Sequence, residues 1–452
     1  MPRSPVASLV AAALARGAAG ALLTFAFVVP AATAADLVEV YREASANDAQ
    51  FAAARSSLLA GREKYPQGRA GLLPQINLSA STSRVHARVD SRSTQSSFSS
   101  NFRESGYTLS LSQPLFRWAN WQEYERGKLL VALSEAQFAQ AELDLIVRVA
   151  QAYFDVLAAT DTITYIVANK AAISEQLASA KRNFEVGTAT ITDTNEAQAS
   201  YDLAEAQEIQ ARSALDIARA ALEQIIGRDP GTLAPLKEGV ALSGPEPAEL
   251  EPWVTGAETQ NYNVAQFAAA LEIARREIEI NRAGHYPTLD LVASRNVAKT
   301  TAVTPSATST SDNSIGVQLS VPIYSGGYTS SKVREAIALR DKAESDLVNA
   351  RRTAALGARQ AYFGVTGGLA QVRAFQAAEV SSRSALESNK LGYQVGVRIN
   401  IDVLNAQKQL YSTLRDLARA RYDTIVNGLK LQAAASSLSE EDLLQVNRLL
   451  QH

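Results

Sequence analysis

Proline is missing from two long stretches of this chain, Leu115 to Asp229 and Ile323 to His452, although 14 prolines occur in its 452 residues. At an average usage of about 5%, each stretch would hold several. Both are rich in Ala, Leu, Gln, Glu, Arg and Lys, which lose little on entering a helix. Their natural breaks lie near Gly187 and Gly396. The pattern predicts a helix from about Ala119 to Glu185 and another over about 192–226, then a second pair over about Thr329 to Gln394 and 400–435. At 1.5 Å per residue, the longer helix of each pair spans roughly 100 Å. No compact domain encloses such a helix, so it belongs to a coiled coil or a helical tube.

The doubling runs through the whole chain. Ala49-Gln50-Phe51-Ala52-Ala53-Ala54 returns as Ala265-Gln266-Phe267-Ala268-Ala269-Ala270. Gln151-Ala152-Tyr153-Phe154 is echoed by Gln360-Ala361-Tyr362-Phe363, and Phe184-Glu185-Val186-Gly187 by Tyr393-Gln394-Val395-Gly396. The order is kept at a period of about 210 residues, far longer than a solenoid repeat. We read two structural copies, 35–226 and 254–435. A Gly- and Pro-rich linker over 227–253 joins them, and a short segment over 436–452 follows.

Each copy opens with a helical segment, Asp36 to Gly68 and about Ala248 to Arg282, and continues with two alternating runs. Ile76, Leu78 and Ala80 alternate with Asn77, Ser79 and Ser81, and Tyr107, Leu109 and Leu111 with Thr108, Ser110 and Ser112. In the second copy Leu289, Leu291 and Ala293 form one such run, and Ile315, Val317, Leu319 and Val321 the other. Period two predicts strands over 75–86, 104–116, 287–298 and 313–324. Polar loops are expected at Ser91 to Asn101 and Thr300 to Asn313. The Ser, Thr, Asn and Gln faces suit a watery lumen and membrane strands of about ten residues. The same alternation would also serve two half-buried hairpins of a soluble α+β domain.

The N-terminus favours export. Arg3 and Arg16, an apolar run from Ala18 to Val29, and Ala32-Thr33-Ala34 read as a signal peptide over 1–34. A membrane anchor is the competing reading, but the run is short of the ~20 residues a spanning helix needs. No later stretch is apolar enough for a membrane helix, so a membrane location would require a β-barrel. Four strands cannot close one, and open edges cannot face lipid. Two chains would supply eight strands and a filled interior; three would supply twelve and begin to leave a lumen.

Composition narrows the chemistry. A net charge of −2 offers no footprint for nucleic acid. There is no cysteine, and the three histidines His86, His285 and His452 lie far apart, so no metal, cofactor or catalytic cluster is expected. Tyr153-Phe154 and Tyr362-Phe363 read as helix-packing aromatics.

Several motifs carry a resemblance. Phe184-Glu185-Val186-Gly187 with Ile191-Thr192-Asp193, and Gly392-Tyr393-Gln394-Val395-Gly396-Val397-Arg398 with Asp402-Val403-Leu404, are the most specific. Ser320-Val321-Pro322-Ile323-Tyr324-Ser325-Gly326-Gly327 and Glu441-Asp442-Leu443-Leu444 add to them. From Asp36 to Leu450 the chain resembles the TolC family of outer-membrane export proteins. The resemblance implies an α+β membrane protein and a homotrimer. Twelve strands, four per chain, would close an outer-membrane barrel continuous with a long periplasmic helical barrel. An equatorial belt would draw on the linker and the C-terminal segment. It also implies a periplasmic adaptor and an inner-membrane transporter of ABC, RND or MFS type as partners. The energy is then the partner's, the chain has no catalytic task, and the cargo is protein, drug or another small molecule.

By the same resemblance, a polar network at the helix tips closes the periplasmic entrance. Asp193 would accept from the Tyr393 hydroxyl. Arg398 would bind Thr192 and an acidic group such as Asp193 of the next protomer. Asp402 would form a ring of carboxylates at the mouth. The family's second acidic ring falls on Asn405 here, which removes its charge. Taken without the resemblance, Asp193 reads as a helix N-cap and Arg398 as a solvated loop charge. The rival architecture is a periplasmic adaptor, with a single helical hairpin among β-domains; an exported enzyme is more distant, because no nucleophile-elbow, zinc or phosphate-loop motif occurs.

Overall fold

The computed structural model describes residues 34–91, 96–237, 239–301 and 308–451. The signal-peptide reading falls on residues outside these, save Ala34.

The chain opens with three short helices, α1 (Leu37–Asn47), α2 (Ala49–Arg62) and α3 (Lys64–Ala70), where one segment to Gly68 was expected. The break is built by Asp48. Its carboxylate caps the Phe51 amide at 2.6 Å and takes two bonds from the Arg148 guanidinium, at 3.0 and 3.2 Å. Strand β1 (Gln75–Ser91) and strand β2 (Ser96–Phe116) follow, then α4 (Trp118–Glu185) and α5 (Ile191–Ile226). The second copy has α6 (Leu250–Gln260), α7 (Tyr262–Arg282), β3 (Thr288–Thr301), β4 (Thr308–Ser320), α8 (Tyr328–Gln394) and α9 (Asn400–Ala434). A final helix, α10 (Glu440–Asn447), lies in the C-terminal segment. Its expected opening helix is also divided, because Asn261 accepts from the Asn263 and Val264 amides and starts a new helix. At 68 and 67 residues, α4 and α8 are each about 100 Å long.

The four strands form one antiparallel sheet in sequence order. Its registers run from Gln75↔Ser112 to Ser91↔Ser96, from Arg103↔Thr301 downwards, and from Thr288↔Ser320 to Thr300↔Thr308. The strands are longer than the apolar alternation. Ser96 to Asn101, expected in a loop, belongs to β2, and β4 starts at Thr308 rather than 313. Backbone pairing needs no apolar face, so the ladder continues through polar sequence. At the other end β4 stops at Ser320 rather than at 324, since Pro322 has no N–H for the ladder and Gly326 and Gly327 turn the chain with φ of 61° and 82°.

One face of the sheet carries Ile76, Leu78, Leu109, Ile315, Val317 and Leu319, all strongly exposed in the protomer. The other is polar near the helices, where Thr108 bonds Asn296 at 3.0 Å and Ser294 meets Ser314 at 2.8 Å, and carries the Val85–Phe102 pair further out. Among the described residues of the protomer, the outer edges of β1 and β4 have no partner strand. Where sheet meets helix, Arg117 and Asp290 form a two-pronged pair, both bonds 2.7 Å, with Asp290 buried. This fixes the end of β2 against β3 at the start of α4.

The main core lies around the middle of the helices. Leu37, Leu145, Tyr153, Phe154, Leu222, Ile226, Tyr422 and Leu443 bury one another there. The linker is pinned to this core. Leu233 bridges Ala35 and Leu236 bridges Leu450, joining both ends of the described chain. The Tyr153 hydroxyl donates to the Ala234 carbonyl at 2.8 Å, and the Tyr362 hydroxyl to that of Ala248 at 2.6 Å. Phe154 stacks on Tyr422 at 5.6 Å. Tyr153, Phe154 and Tyr362 thus hold helices and linker together, whereas Phe363, expected to pack between helices, is exposed in the protomer.

Candidate functional site: the tips of the helical hairpins

The α4–α5 and α8–α9 hairpins turn by the same motif. At the first, the Thr188 amide bonds the Asn183 carbonyl at 2.8 Å and the Gly187 amide bonds that of Phe184 at 3.0 Å. At the second, Val397 bonds Gly392 at 2.8 Å and Gly396 bonds Tyr393 at 3.1 Å. This is the Schellman closure, which needs a left-handed residue after the cap. Gly187 and Gly396 supply it at φ 78° and 79°.

The restarts differ. Thr190 caps α5: its hydroxyl accepts from the Asp193 amide at 3.2 Å, while the Asp193 carboxylate accepts from the Thr190 amide at 2.9 Å and hydroxyl at 2.7 Å. In α9 the cap position is Ile399, whose hydrocarbon side chain offers no acceptor, so Asp402 is left out of any capping box. Asp402 instead faces Arg398 one turn back, at 3.7 Å. That pair is exposed and worth only about 0–1 kcal/mol. Gly392 makes room for it: a Cβ there would lie 2.7 Å from Arg398 Cγ.

Within the protomer, the expected bonds are therefore replaced by others. Asp193 does not accept from Tyr393; its Oδ2 takes both bonds from Thr190, and it is an N3 capping-box residue rather than the N-cap itself. Tyr393 packs against the Leu386, Val403 and Leu410 cluster, and its hydroxyl receives a long 3.4 Å bond from Asn183. Thr192 is exposed, and Arg398 turns to Asp402 rather than to Thr192 or Asp193.

Besides the Asn183–Tyr393 bond, the two tips are joined by a residue that the sequence did not single out. Asn400, fully buried at the first position of α9, donates to the Asp193 carbonyl at 3.2 Å and accepts from Gln176 of α4 at 2.5 Å. Deeper in, Gln407 donates to the Asn169 carbonyl at 3.3 Å. An Asn just after a loop reads as an ordinary helix start, so no local signal marked it. Around these amides the tips expose apolar side chains: Val186 at 73%, Val395 at 65% and Val397 at 78%.

Among the described residues no group of His, Cys, Asp or Glu could hold a metal, and no helix is long and apolar enough to cross a membrane. Geometry at the site is that of a joint between helices.

Comparison with known proteins agrees with this architecture. The family model "Outer membrane efflux protein" matches residues 40–228 and again 253–437, one match on each copy. The alkaline protease secretion protein AprF of Pseudomonas aeruginosa is 35% identical over 91% of this chain and 86% of its own length. The outer membrane protein TolC of Vibrio cholerae is 33% identical over 92% of this chain and 93% of its own. Among solved structures, the Campylobacter jejuni CmeC outer membrane channel superposes with a TM-score of 0.77 at 19% identity, covering 91% of this chain and 89% of that one. With both copies matched and relatives above 30% identity along nine-tenths of its length, the chain belongs to the outer membrane efflux protein family.

Proposed function

We propose that three copies of this chain form one duct through the outer membrane and periplasm, for type I protein secretion or small-molecule efflux. The observation that carries the reading is the sheet. It is apolar and exposed on one face, polar on the other, open at both edges, and continuous with helices of about 100 Å. Open edges cannot face lipid, so the sheet needs neighbours, and three protomers bring twelve strands around a polar lumen.

The hairpin tips are the proposed periplasmic gate. Thr192 and Arg398 are exposed on adjoining turns, and Tyr393 sits beside them, free to meet Asp193 or Arg398 of a neighbouring protomer. Asp402, repeated by the threefold axis, supplies the acidic ring, and Asn405 leaves that ring single. Closure by weak exposed bonds, repeated three times, can be undone without unfolding the helices. Exposed Val186, Val395 and Val397 fit a periplasmic adaptor, which would couple the duct to an inner-membrane transporter that supplies the energy. The test is single-channel conductance of the purified protein in planar bilayers. The Tyr393→Phe, Arg398→Ser double variant should conduct more than wild type, and Asp402→Asn should lower cation selectivity without opening the tip. A double variant with wild-type conductance would remove the gate assignment and leave the duct standing.

A further inference from the structure

Charge on the sheet is sorted by face. The strand registers put Arg84, Arg88, Arg103, Arg295 and Lys299 on the same face as Ile76, Leu78, Leu109, Leu111 and Ile315. The polar face carries Glu104, Asp290 and Asp312 and, among the described residues, no Lys or Arg. Among the described residues the one acidic residue on the outward face, Asp90, pairs with Arg88 at 3.4 Å. Arg84, Arg103, Arg295 and Lys299 are exposed and have no ion-pair partner among the described residues.

Three of these cations form a close group. Arg84 stands directly opposite Arg103 in the β1–β2 register, where side chains begin about 5 Å apart and like charges repel. Arg103 faces Thr301, so Lys299 is its diagonal neighbour on β3, about 7–8 Å away. His86 lies two residues further out and bonds Asn101 at 2.6 Å. Such a group weakens the ladder unless an anion lies among its members.

Its height identifies the anion. Arg84 is eight residues beyond Ile76 on β1 and Lys299 ten beyond Leu289 on β3. At ~3.3 Å per residue and a strand tilt near 40°, both lie roughly 20–25 Å above the inner end of the apolar face. That is the outer edge of an apolar band about 25 Å tall. Arg295 lies lower, where its long stem can run up the sheet to the same level.

We infer that Arg84, Arg103 and Lys299 form a binding site on the lipid-facing wall for the phosphates of an outer-leaflet glycolipid. The acyl chains would lie on the Leu78, Leu109 and Ile315 surface directly below, so the site continues the membrane contact. Guanidinium forks suit phosphate oxygens. The inference rests on the sheet being the membrane barrel.

The experiment uses purified trimer in phosphatidylcholine discs doped with either bisphosphorylated or dephosphorylated lipid A, with retained glycolipid counted by native mass spectrometry. Wild type should retain the bisphosphorylated form at least about tenfold better. The Arg84→Gln, Arg103→Gln, Lys299→Gln variant should retain both forms alike. Equal retention of the two forms by wild type overturns the inference whether or not the variant folds. Undiminished preference in the variant, or full displacement of the lipid by millimolar inorganic phosphate, does so as well. Quenching of a Leu109→Trp variant by brominated acyl chains reports separately on whether this face meets lipid at all.

Discussion

Asn400→Ala tests the joint between the two hairpins. Asn400 is wholly buried and makes two hydrogen bonds, to the Asp193 carbonyl and from Gln176. A net ~0.5–1.5 kcal/mol per bond gives about 1–3 kcal/mol per protomer. The lower half of that range applies, for two reasons. The Asp193 carbonyl also lies in the first turn of α5 and keeps its helical bond, and Gln176 is half-buried and can turn to water. Summed over three protomers the loss is about 3–6 kcal/mol, and each 1.4 kcal/mol is a factor of ten in an equilibrium. If α9 leaves α4 and α5 when the tip opens, the closed-to-open ratio should fall by at least a hundredfold. The readout is open probability in planar bilayers, with thermal stability of the trimer measured alongside. We expect frequent openings and little loss of trimer, because the apolar cluster of Ile173, Leu177, Ala197 and Leu404 beside the joint is untouched. Lower stability with wild-type openings would show that the joint stays closed throughout gating.

Three further outcomes follow from local geometry. Gly396→Ala meets no atom within 4 Å, so its cost of about 1–2 kcal/mol comes from the positive φ alone and should appear as faster hydrogen exchange at the α8–α9 tip. Ile315→Arg, four residues further out than Leu319 on β4 and so near mid-bilayer, should cost about 2–4 kcal/mol of membrane stability per chain, read as loss of trimer from the membrane fraction. Burial raises the Asp161 carboxyl above its ordinary 3.8, although a bond from Tyr422 at 2.7 Å opposes this. The folded state therefore prefers the proton: its contribution is fully favourable below 3.8 and is lost as pH rises through the raised value. Asp161→Asn should raise the melting temperature at pH 7 and lose that advantage below the ordinary value.

Local rules made the long helices and the strand faces legible. Missing proline, with breaks at Gly187 and Gly396, bounded α4 and α8 to within a residue or two of Trp118–Glu185 and Tyr328–Gln394. Alternation identified which side of each strand is apolar, but it missed the polar ends of the strands, where pairing alone holds the chain. The break at Asp48 was hidden because its cap is secured by Arg148, 100 residues away. The Arg117–Asp290 clamp was hidden for the same reason. At the tips, the bonds within the protomer differ from those expected. Thr190, three residues back, reaches the Asp193 carboxylate first, and Asn400 is an ordinary helix start until α4 buries it.

The central claim is that one protomer supplies a third of a barrel. Native mass spectrometry of the particle released from outer membranes in mild detergent tests it most directly. The account predicts three copies of the chain, with monomer absent under non-denaturing conditions, since four strands with two free edges have no stable place in lipid. A particle of one chain, or of two, would contradict it.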